Sequence, residues 1–512
     1  MTLKELSEIK DSVKILTPEE MQNKVDILTK NNFVIRRINK INPLKIEESI
    51  SQGSYFSLEK ALRENNPKGI IDTIKKSGLR GRGGGGFPTG LKWERTAETI
   101  GEDKIVVCNA DEGDPGAFMD RAILEGDPHS VLEAMAIAGF CIKATRGIVY
   151  VRAEYPYAVS TLREAIKQAE KIGVLGKNIF GSGFDFSIEL RLGAGAFVCG
   201  EETSLIASVE GKRGEPKPRP PYPSTKGVYG LPTLINNVET YANIPLILTD
   251  GWESFVKVGT EKSKGTKVFA ISGDAVKSGL AEVPMGTTIN EMVYNIGGGI
   301  ANGKKFKAAQ TGGPSGGCIP ASLGNTPLDY ESLVAIGSIM GSGGLIIMDE
   351  STCMVDMAKF FLEFTVDESC GKCTPCRIGN KRLLEILTRI TEGQGKLSDI
   401  DDLKNLSYYI KENSLCGLGG SSPNPVLSML RHFESEYIEH IVEKKCKAGK
   451  CKKLAKFRIM PEKCIGCSAC EKVCPVNAIT GKIKSTYIID ESKCIRCGKC
   501  KQTCRFGAIE NN

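Results

Sequence analysis

Three cysteines, Cys370, Cys373 and Cys376, stand at C-x2-C-x2-C in the stretch VDESCGKCTPCRIG. Thiolates at that spacing form the tight start of an iron–sulfur ligand run, and no fourth cysteine follows nearby. A second set, His440, Cys446 and Cys451, reads H-x5-C-x4-C. Three such ligands suggest a structural zinc, which needs four, and Cys353 is the candidate for the fourth. Unligated thiols are the alternative. A third feature is the glycine run in GLRGRGGGGFPTGLKW, where Gly81, Gly83 and Gly86 keep G-x-G-x-x-G spacing. Such a loop lets backbone N–H groups approach a phosphate, and a flexible linker is the bland alternative. Lys92 could pair with a phosphate there, and Phe87 could stack on a planar ring.

The cysteine pattern is densest near the C-terminus. CIGCSACEKVCP sets Cys464, Cys467, Cys470 and Cys474 at C-x2-C-x2-C-x3-C-P. CIRCGKCKQTC repeats the spacing with Cys494, Cys497, Cys500 and Cys504, Arg505 replacing the proline. The segment resembles the two-cluster ferredoxins, in which the fourth cysteine of each run serves the other cluster. Cys464, Cys467, Cys470 and Cys504 are therefore expected to hold one [4Fe-4S] cluster. Cys494, Cys497, Cys500 and Cys474 are expected to hold the second. A pair of zinc sites is the competing reading.

Of nineteen cysteines, four precede residue 350 and fifteen follow it. The front half has an ordinary enzyme composition and the back half a metal-carrying one. Clustered spacing favours metal over a disulfide framework. No apolar run reaches about 18 residues, so no membrane span is expected. The first residues, MTLKELSEIKDSVKILTPEE, lack the apolar core of a secretory signal, which points to the cytoplasm. The net charge of +7 gathers partly in KKCKAGKCKKLAKFR, residues 444–458. No aromatic interleaving accompanies that run, so no nucleic-acid partner is expected. It reads as a solvated linker or as charge that offsets thiolate-ligated clusters. The other front cysteines, Cys108, Cys141 and Cys199, have no partner pattern and read as buried thiols. His129 and His432 read as structural.

These groups need elements to hold them. Residues 1–50 are polar with a helical look. SLEKALRENNPKGIIDTIKKSGL has helical apolar spacing and a stop at Gly78. KIVVCNADEGDPG reads as a buried strand running into a polar loop, HSVLEAMAIAGFCIKA as a helix, RGIVYVRAEYP as a strand and AVSTLREAIKQAEKIG as an amphipathic helix. That alternation predicts a largely parallel α/β sheet over 55–245. Residues 250–335 predict short strands around one helix. Four helical patterns over 350–445 predict a four-helix bundle.

Further front segments join the glycine loop. CNADEGDPG clusters Asn109, Asp111, Glu112 and Asp114. GAGAFVCGEETSLIASVEGKRGEPKPRPPYP brings Gly200, Glu201, Glu202 and Tyr222, and LINNVET adds Asn236 and Asn237. With CGKCTPCR and SLCGLGG, these segments resemble the flavin subunit of respiratory complex I. They are similar again to the flavin subunits of soluble NAD-linked hydrogenases and formate dehydrogenases. The ferredoxin tail, GGPSGGCIP and GSGGLIIMDE resemble the electron-bifurcating branch of that family. The resemblance implies Cys416 as the fourth ligand of the Cys370 cluster, and FMN bound by Gly81, Gly83, Lys92, Asn109, Asp111, Glu112, Gly200, Glu201, Glu202, Asn236 and Asn237. NAD(H) or NADP(H) should stack over the flavin near Phe87 and Tyr222. The fold expected is α/β: an N-terminal extension (1–54), a Rossmann-like FMN and NAD(P) domain (55–245), a small ubiquitin-like α+β domain (246–340), a helical bundle with one [4Fe-4S] cluster (341–445), and a linker with a two-[4Fe-4S] ferredoxin domain (446–512).

Nicotinamides exchange electrons in pairs and iron–sulfur clusters take one, so a flavin belongs between them. Hydride transfer needs no side-chain nucleophile. Glu112 and Glu202 are expected to orient the cofactors and tune the field. The bifurcating relatives often begin with a thioredoxin-like [2Fe-2S] domain, whereas the first cysteine here is Cys108. A separate small subunit is expected to supply that cluster. Ferredoxin and a hydrogenase, formate dehydrogenase or transhydrogenase catalytic subunit are the other expected partners. Arg95 stands where the family often has an aromatic residue. It suits the extra phosphate of NADP, unless it simply faces solvent. A non-bifurcating NADH dehydrogenase module, or an electron-transfer scaffold without nicotinamide activity, are the competing readings.

Overall fold

The computed structural model describes residues 1–13, 24–101, 103–193, 195–454 and 457–511. Four apolar runs form a parallel sheet: β1 (Ile105–Ala110), β2 (Arg146–Arg152), β3 (Ser187–Gly193) and β4 (Thr233–Asn237), in the order β3-β2-β1-β4. A parallel sheet is covered on both faces, which is why β1 and β2 read as near-continuous apolar runs. Helix Pro128–Ile142 is buried on nearly every side and carries the chain from β1 to β2. Helix Pro156–Lys171 carries it from β2 to β3. β1 lies between β2 and β4, so the order reverses at β1 and a crevice opens beyond its C-terminal end. In register there, Asn109 faces Asn237. Upstream, Pro67–Ser77 begins with Asn66 accepting from the Gly69 N–H and ends at Gly78, whose φ of 65° suits the left-handed stop.

The second sheet is mixed, in the order β6-β5-β9-β7-β8. Its strands are β5 (Thr266–Gly273), β6 (Gly279–Pro284), β7 (Phe306–Thr311), β8 (Cys318–Pro320) and β9 (Gly344–Asp349). β5 and β9 run parallel at the centre, with an antiparallel hairpin on each side. The sheet therefore extends past the expected boundary at 340. GLIIMD is its central strand, because a short, almost wholly buried apolar run fills the slot between two strands better than it starts a helix.

Residues 1–54 also depart from expectation. Leu6, Val34, Ile35, Ile38, Ile46 and Ile50 enter the core of the front domain. The buried Glu282 carboxylate of β6 accepts from the N–H groups of Phe33, Val34 and Ile35 at 3.0–3.1 Å. The described residues of this segment form a strap joining both sheets, packed by a few isoleucines and by the buried Arg37–Asp127 pair at 3.3 Å. Its residues 14–23 lie outside the described residues.

Helices Met354–Glu368, Asn380–Thr391, Ser398–Asn413 and Asn424–Ile438 pack around one apolar core. The tail carries two small antiparallel ladders, β10 (Phe457–Ile459) with β13 (Ile509–Asn511) and β11 (Ile479–Thr480) with β12 (Ile488–Ile489).

A candidate flavin and iron–sulfur centre

The glycine run turns at the mouth of the crevice. The Gly81 N–H donates to the Phe87 carbonyl at 2.9 Å and closes the loop. Tyr330, reaching over from the small domain, donates its hydroxyl to the Gly81 carbonyl at 2.7 Å. Gly86 has φ 61° and a Cβ there would lie 2.7 Å from the Tyr330 ring, so only glycine fits. A Cβ on Gly85 would meet nothing within 4 Å and would project into open space. The loop thus presents bare backbone to a cavity of about 1440 Å³. That is larger than the ~300–1,000 Å³ of a site for one small molecule.

All thirteen residues expected to hold flavin and nicotinamide line this one cavity. Asn109 closes β1 and donates to the Gly200 carbonyl at 2.9 Å. Glu201 caps helix Glu202–Val209 by accepting from the Thr203 and Ser204 N–H groups. Glu202 bridges Lys92 at 3.4 Å and Arg219 at 2.6 Å. Lys92 also donates to the Ile235 carbonyl at 3.2 Å, so it is held at the cavity wall. Asn236 accepts from the Trp93 indole at 3.0 Å. Asn237 caps helix Val238–Asp250 and donates to Asp120 at 2.5 Å. Phe87 and Tyr222 stand half exposed at the mouth. Each has an arginine beside its ring, Arg95 at 5.6 Å from one centroid and Arg219 at 5.9 Å from the other.

Two carboxylates behave differently from surface acids. Burial pushes the Asp111 carboxyl up to about 7, against the pull of Arg152. Burial also raises Glu112 to about 7, although its oxygens accept from the Asp120 and Arg121 N–H groups at 3.0 and 3.1 Å. Glu112 therefore caps helix Met119–Gly126, and what it offers the cavity is its charge state. Asp120 was not legible as a site residue, yet it is 3% exposed, lines the cavity, and burial beside Glu112 raises its carboxyl. The available signal was an acid among the apolar residues on the buried face of an amphipathic helix. Tyr330 and Ser342 were also missed, since their roles depend on contacts between domains, and so was Arg219, whose partner Glu202 lies seventeen residues away in the chain. Ser342 donates to Asp114 at 2.6 Å in the cavity wall.

The residues fit a flavin mononucleotide. The bare Gly85 backbone leaves room for a phosphate. Asp111 Oδ2 and Asp120 Oδ1 are buried acceptors without a partner, suited to hydroxyl groups of a bound ligand.

The Cys370 group lies against this cavity. Cys370, Cys373, Cys376 and Cys416 pack together against Val198, Leu205 and Leu418. Gly417, Leu418 and Ser421, which follow Cys416 directly, form part of the cavity wall. Burial pushes the Cys376 thiol up to about 11, with the other three sulfurs adding to the shift. In the tail, Cys464, Cys467, Cys470 and Cys504 line one small cavity, and Cys474, Cys494, Cys497 and Cys500 line another. The fold thus brings the fourth cysteine of each run beside the first three of the other. Among the described residues, only Cys353, His440, Cys446 and Cys451 bring three or more ligand atoms within 4.8 Å of one another. The three cysteine tetrads are more widely spread, as a four-iron cube requires and a single ion does not. In the compact group, His440 Nε2 lies 3.3 Å from Cys353 Sγ and 3.4 Å from Cys451 Sγ. His440 Nδ1 donates to the Glu436 carbonyl at 2.6 Å, which turns Nε2 toward the sulfurs. His129 is fully buried against the Tyr55 hydroxyl and takes no part in the cavity.

Residues 74–246 match the Nuo51 FMN-binding domain, residues 356–440 the NADH-ubiquinone oxidoreductase-F iron-sulfur binding region, and residues 463–508 the 4Fe-4S dicluster domain. The NADP-reducing hydrogenase subunit HndC of Solidesulfovibrio fructosivorans is 57% identical over 447 residues, covering 87% of this chain and 91% of its own. A subunit of the NADH-quinone oxidoreductase of Aquifex aeolicus is 42% identical over 406 residues, covering 79% and 93%. A crystal structure of NAD+-reducing [NiFe]-hydrogenase in the H2-reduced state superposes with a TM-score of 0.73 at 32% identity, over 83% of this chain and 68% of that one.

Proposed function

Because this chain belongs to the family of flavin and iron–sulfur subunits shared by complex I and NAD(P)-linked hydrogenases, we propose that it exchanges hydride with NAD(P)(H) at FMN and passes electrons on one at a time. The observation that carries this is the shared wall: the residues after Cys416 line the same cavity as the glycine loop. Bound FMN would supply the change from two-electron to one-electron chemistry. The chain's own residues do the rest. Gly81 to Gly86 offer backbone to a phosphate, Lys92 and Glu202 pair in the cavity wall, and Phe87 and Tyr222 offer ring faces at the mouth. Glu112 and Glu202 set the local field. Buried Asp111 can donate or accept a hydrogen bond near neutral pH, because its carboxyl titrates at about 7.

The three tetrads support three [4Fe-4S] clusters, and the two in the tail support a branch to ferredoxin and hence an electron-bifurcating complex. The expected partners are a small [2Fe-2S] thioredoxin-like subunit and a catalytic subunit acting on hydrogen, formate or a second nicotinamide. Among the described residues no helix is long and apolar enough to cross a membrane. A cytoplasmic complex is the reading we adopt.

Arg95 beside Phe87 supports a preference for NADP. In purified protein, NADPH is expected to bleach the flavin faster than NADH. Arg95→Phe should shift that ratio toward NADH by about tenfold, the worth of one charge-assisted phosphate contact. Equal or faster bleaching by NADH in the unaltered protein ends the NADP idea, and a flavin that ignores both nicotinamides ends the enzyme reading.

For the compact group of Cys353, His440, Cys446 and Cys451 we propose a structural zinc. Cys446→Ser is expected to lose about one zinc per chain with iron unchanged. Zinc retained at the unaltered level removes the site.

A further inference from the structure

The two repeats of the tail differ in charge, and the balance falls to the second, although Lys472 gives way to Gln502 and Pro461 to Glu491. Residues 462–475 carry two glutamates and two lysines, whereas residues 492–505 carry Lys493, Arg496, Lys499, Lys501 and Arg505 and no acid. Gly466, Ala469, Glu471 and Pro475 of the first repeat are replaced by Arg496, Lys499, Lys501 and Arg505 in the second. The backbone does not ask for this. Gly466 has φ 69° and Arg496 φ 59°, a left-handed conformation that suits glycine and disfavours a side chain. An arginine is thus held where the local structure prefers the residue its twin has.

The placement of these cations is specific. Arg496 and Lys499 line the cavity of the tetrad Cys474, Cys494, Cys497 and Cys500, while the cavity of the other tetrad has no lysine, arginine or acid in its wall. Lys499, Lys501 and Arg505 are exposed, and among the described residues neither they nor Arg496 enters an ion pair. Cys497 is itself exposed, beside Ile495 at 57%. An apolar centre within a charged rim is the anatomy of a protein interface. Compensation common to both clusters does not explain Arg496 and Lys499, because both tetrads would need it and only one has cations in its cavity wall.

We propose that the face around Cys497 is the docking surface for an acidic, ferredoxin-like protein with a one-electron centre near its own surface. This rests on the reading that the Cys494 tetrad holds a [4Fe-4S] cluster. The positive rim would steer the negative partner and speed encounter, and Ile495 would seat it with its centre next to the exposed edge of the tetrad.

The test is the association of a purified acidic two-[4Fe-4S] ferredoxin with the full, iron-loaded chain, followed by surface binding kinetics at low and high salt. The variant Lys499→Ala/Lys501→Glu copies the first repeat's own residues, and its iron content and cluster absorption report that the tail is intact. Its association rate constant is expected to fall about tenfold or more at low salt, with the difference vanishing at high salt. Should that variant fail to load iron, the reverse swap Ala469→Lys/Glu471→Lys asks the same question and is expected to speed association. Equal rates at low salt, or a deficit that persists at high salt, overturn the proposal. So does a variant that binds as before but has a shifted cluster potential, which would make the cations a tuning device. Nicotinamide bleaching of the flavin is read on the same samples. Its loss would sink the flavin reading while leaving the docking result to stand or fall alone.

Discussion

Cys416→Ala is expected to leave a flavin that NAD(P)H still bleaches and to stop the onward electrons. Reduction of a one-electron acceptor protein should fall by about a hundredfold or more, and iron should drop by about four atoms per chain, one cluster's worth. The separation follows from where Cys416 sits. Its sulfur belongs with Cys370, Cys373 and Cys376, but the backbone after it lines the flavin cavity. Helix Gly417–Ser421 is short and alanine keeps the Gly420 N–H bond to the residue-416 carbonyl at 3.0 Å, so the substitution costs the helix little. Ligand loss is then the main consequence, and the glycine loop on the other side is untouched. Absorption at the flavin band after adding nicotinamide, iron analysis and acceptor reduction are measured on one preparation. Full iron with undiminished acceptor reduction would show that another residue completes the cluster, and would break the link between cavity and cluster.

That same residue shows what the sequence could and could not convey. The tail tetrads are legible because every ligand of both clusters lies in two short runs whose spacing is itself the signature. Cys416 is forty residues beyond Cys376, and nothing in the spacing joins them. Helices Asn380–Thr391 and Ser398–Asn413 run out and back and return the chain to its starting point. The resemblance to flavin subunits supplied the link. The acids and asparagines were legible because they stand at or after the ends of β1, β3 and β4 of one parallel sheet, and the glycine loop because its own spacing is a signature.

Their individual roles were not legible. Glu201 and Glu112 spend their oxygens on helix N-termini, and Asn236 and Asn237 are tied to Trp93 and Asp120. Which N–H a carboxylate accepts from is decided by packing between elements, and no spacing rule records it. The same holds for β9 and for residues 24–54. β9 is a short apolar run and residues 24–54 a polar one with a few isoleucines, and the partners of both lie far away in the chain, so neither periodicity nor length identifies where they pack. The chemistry-bearing sets that were missed, Asp120 with Asn237 and Ser342 with Asp114, are likewise pairs of distant residues.

One such distant pair carries the largest stability effect. Lys267, on β5 of the small domain, is paired with Glu239, on helix Val238–Asp250 of the front domain, and both side chains are shut off from water. The Lys267 ammonium also donates to the carbonyls of Val268 at 2.7 Å and Ser342 at 2.6 Å, so its three protons are all used. Glu239 in turn accepts from the Val268 N–H at 2.9 Å. Lys267→Met keeps the length and apolar stem of the side chain and removes only the charge and its donors. It is expected to cost about 3–5 kcal/mol, the penalty for an uncompensated carboxylate and two orphaned carbonyls in the interior. The neighbourhood makes this worse, because Lys267 also offsets buried Glu112 and Asp120, and Glu239 pushes Asp120 further up. Adding Glu239→Gln removes the stranded charge, so the double variant should recover more than half of the loss. Ser342 is both a partner of Lys267 and a wall of the flavin cavity, so the single variant is also expected to release FMN more readily. Denaturant midpoints followed by flavin fluorescence read both effects. A single variant within about 1 kcal/mol of the unaltered protein, or a double variant no more stable than the single, would mean that the two domains are not pinned by this pair.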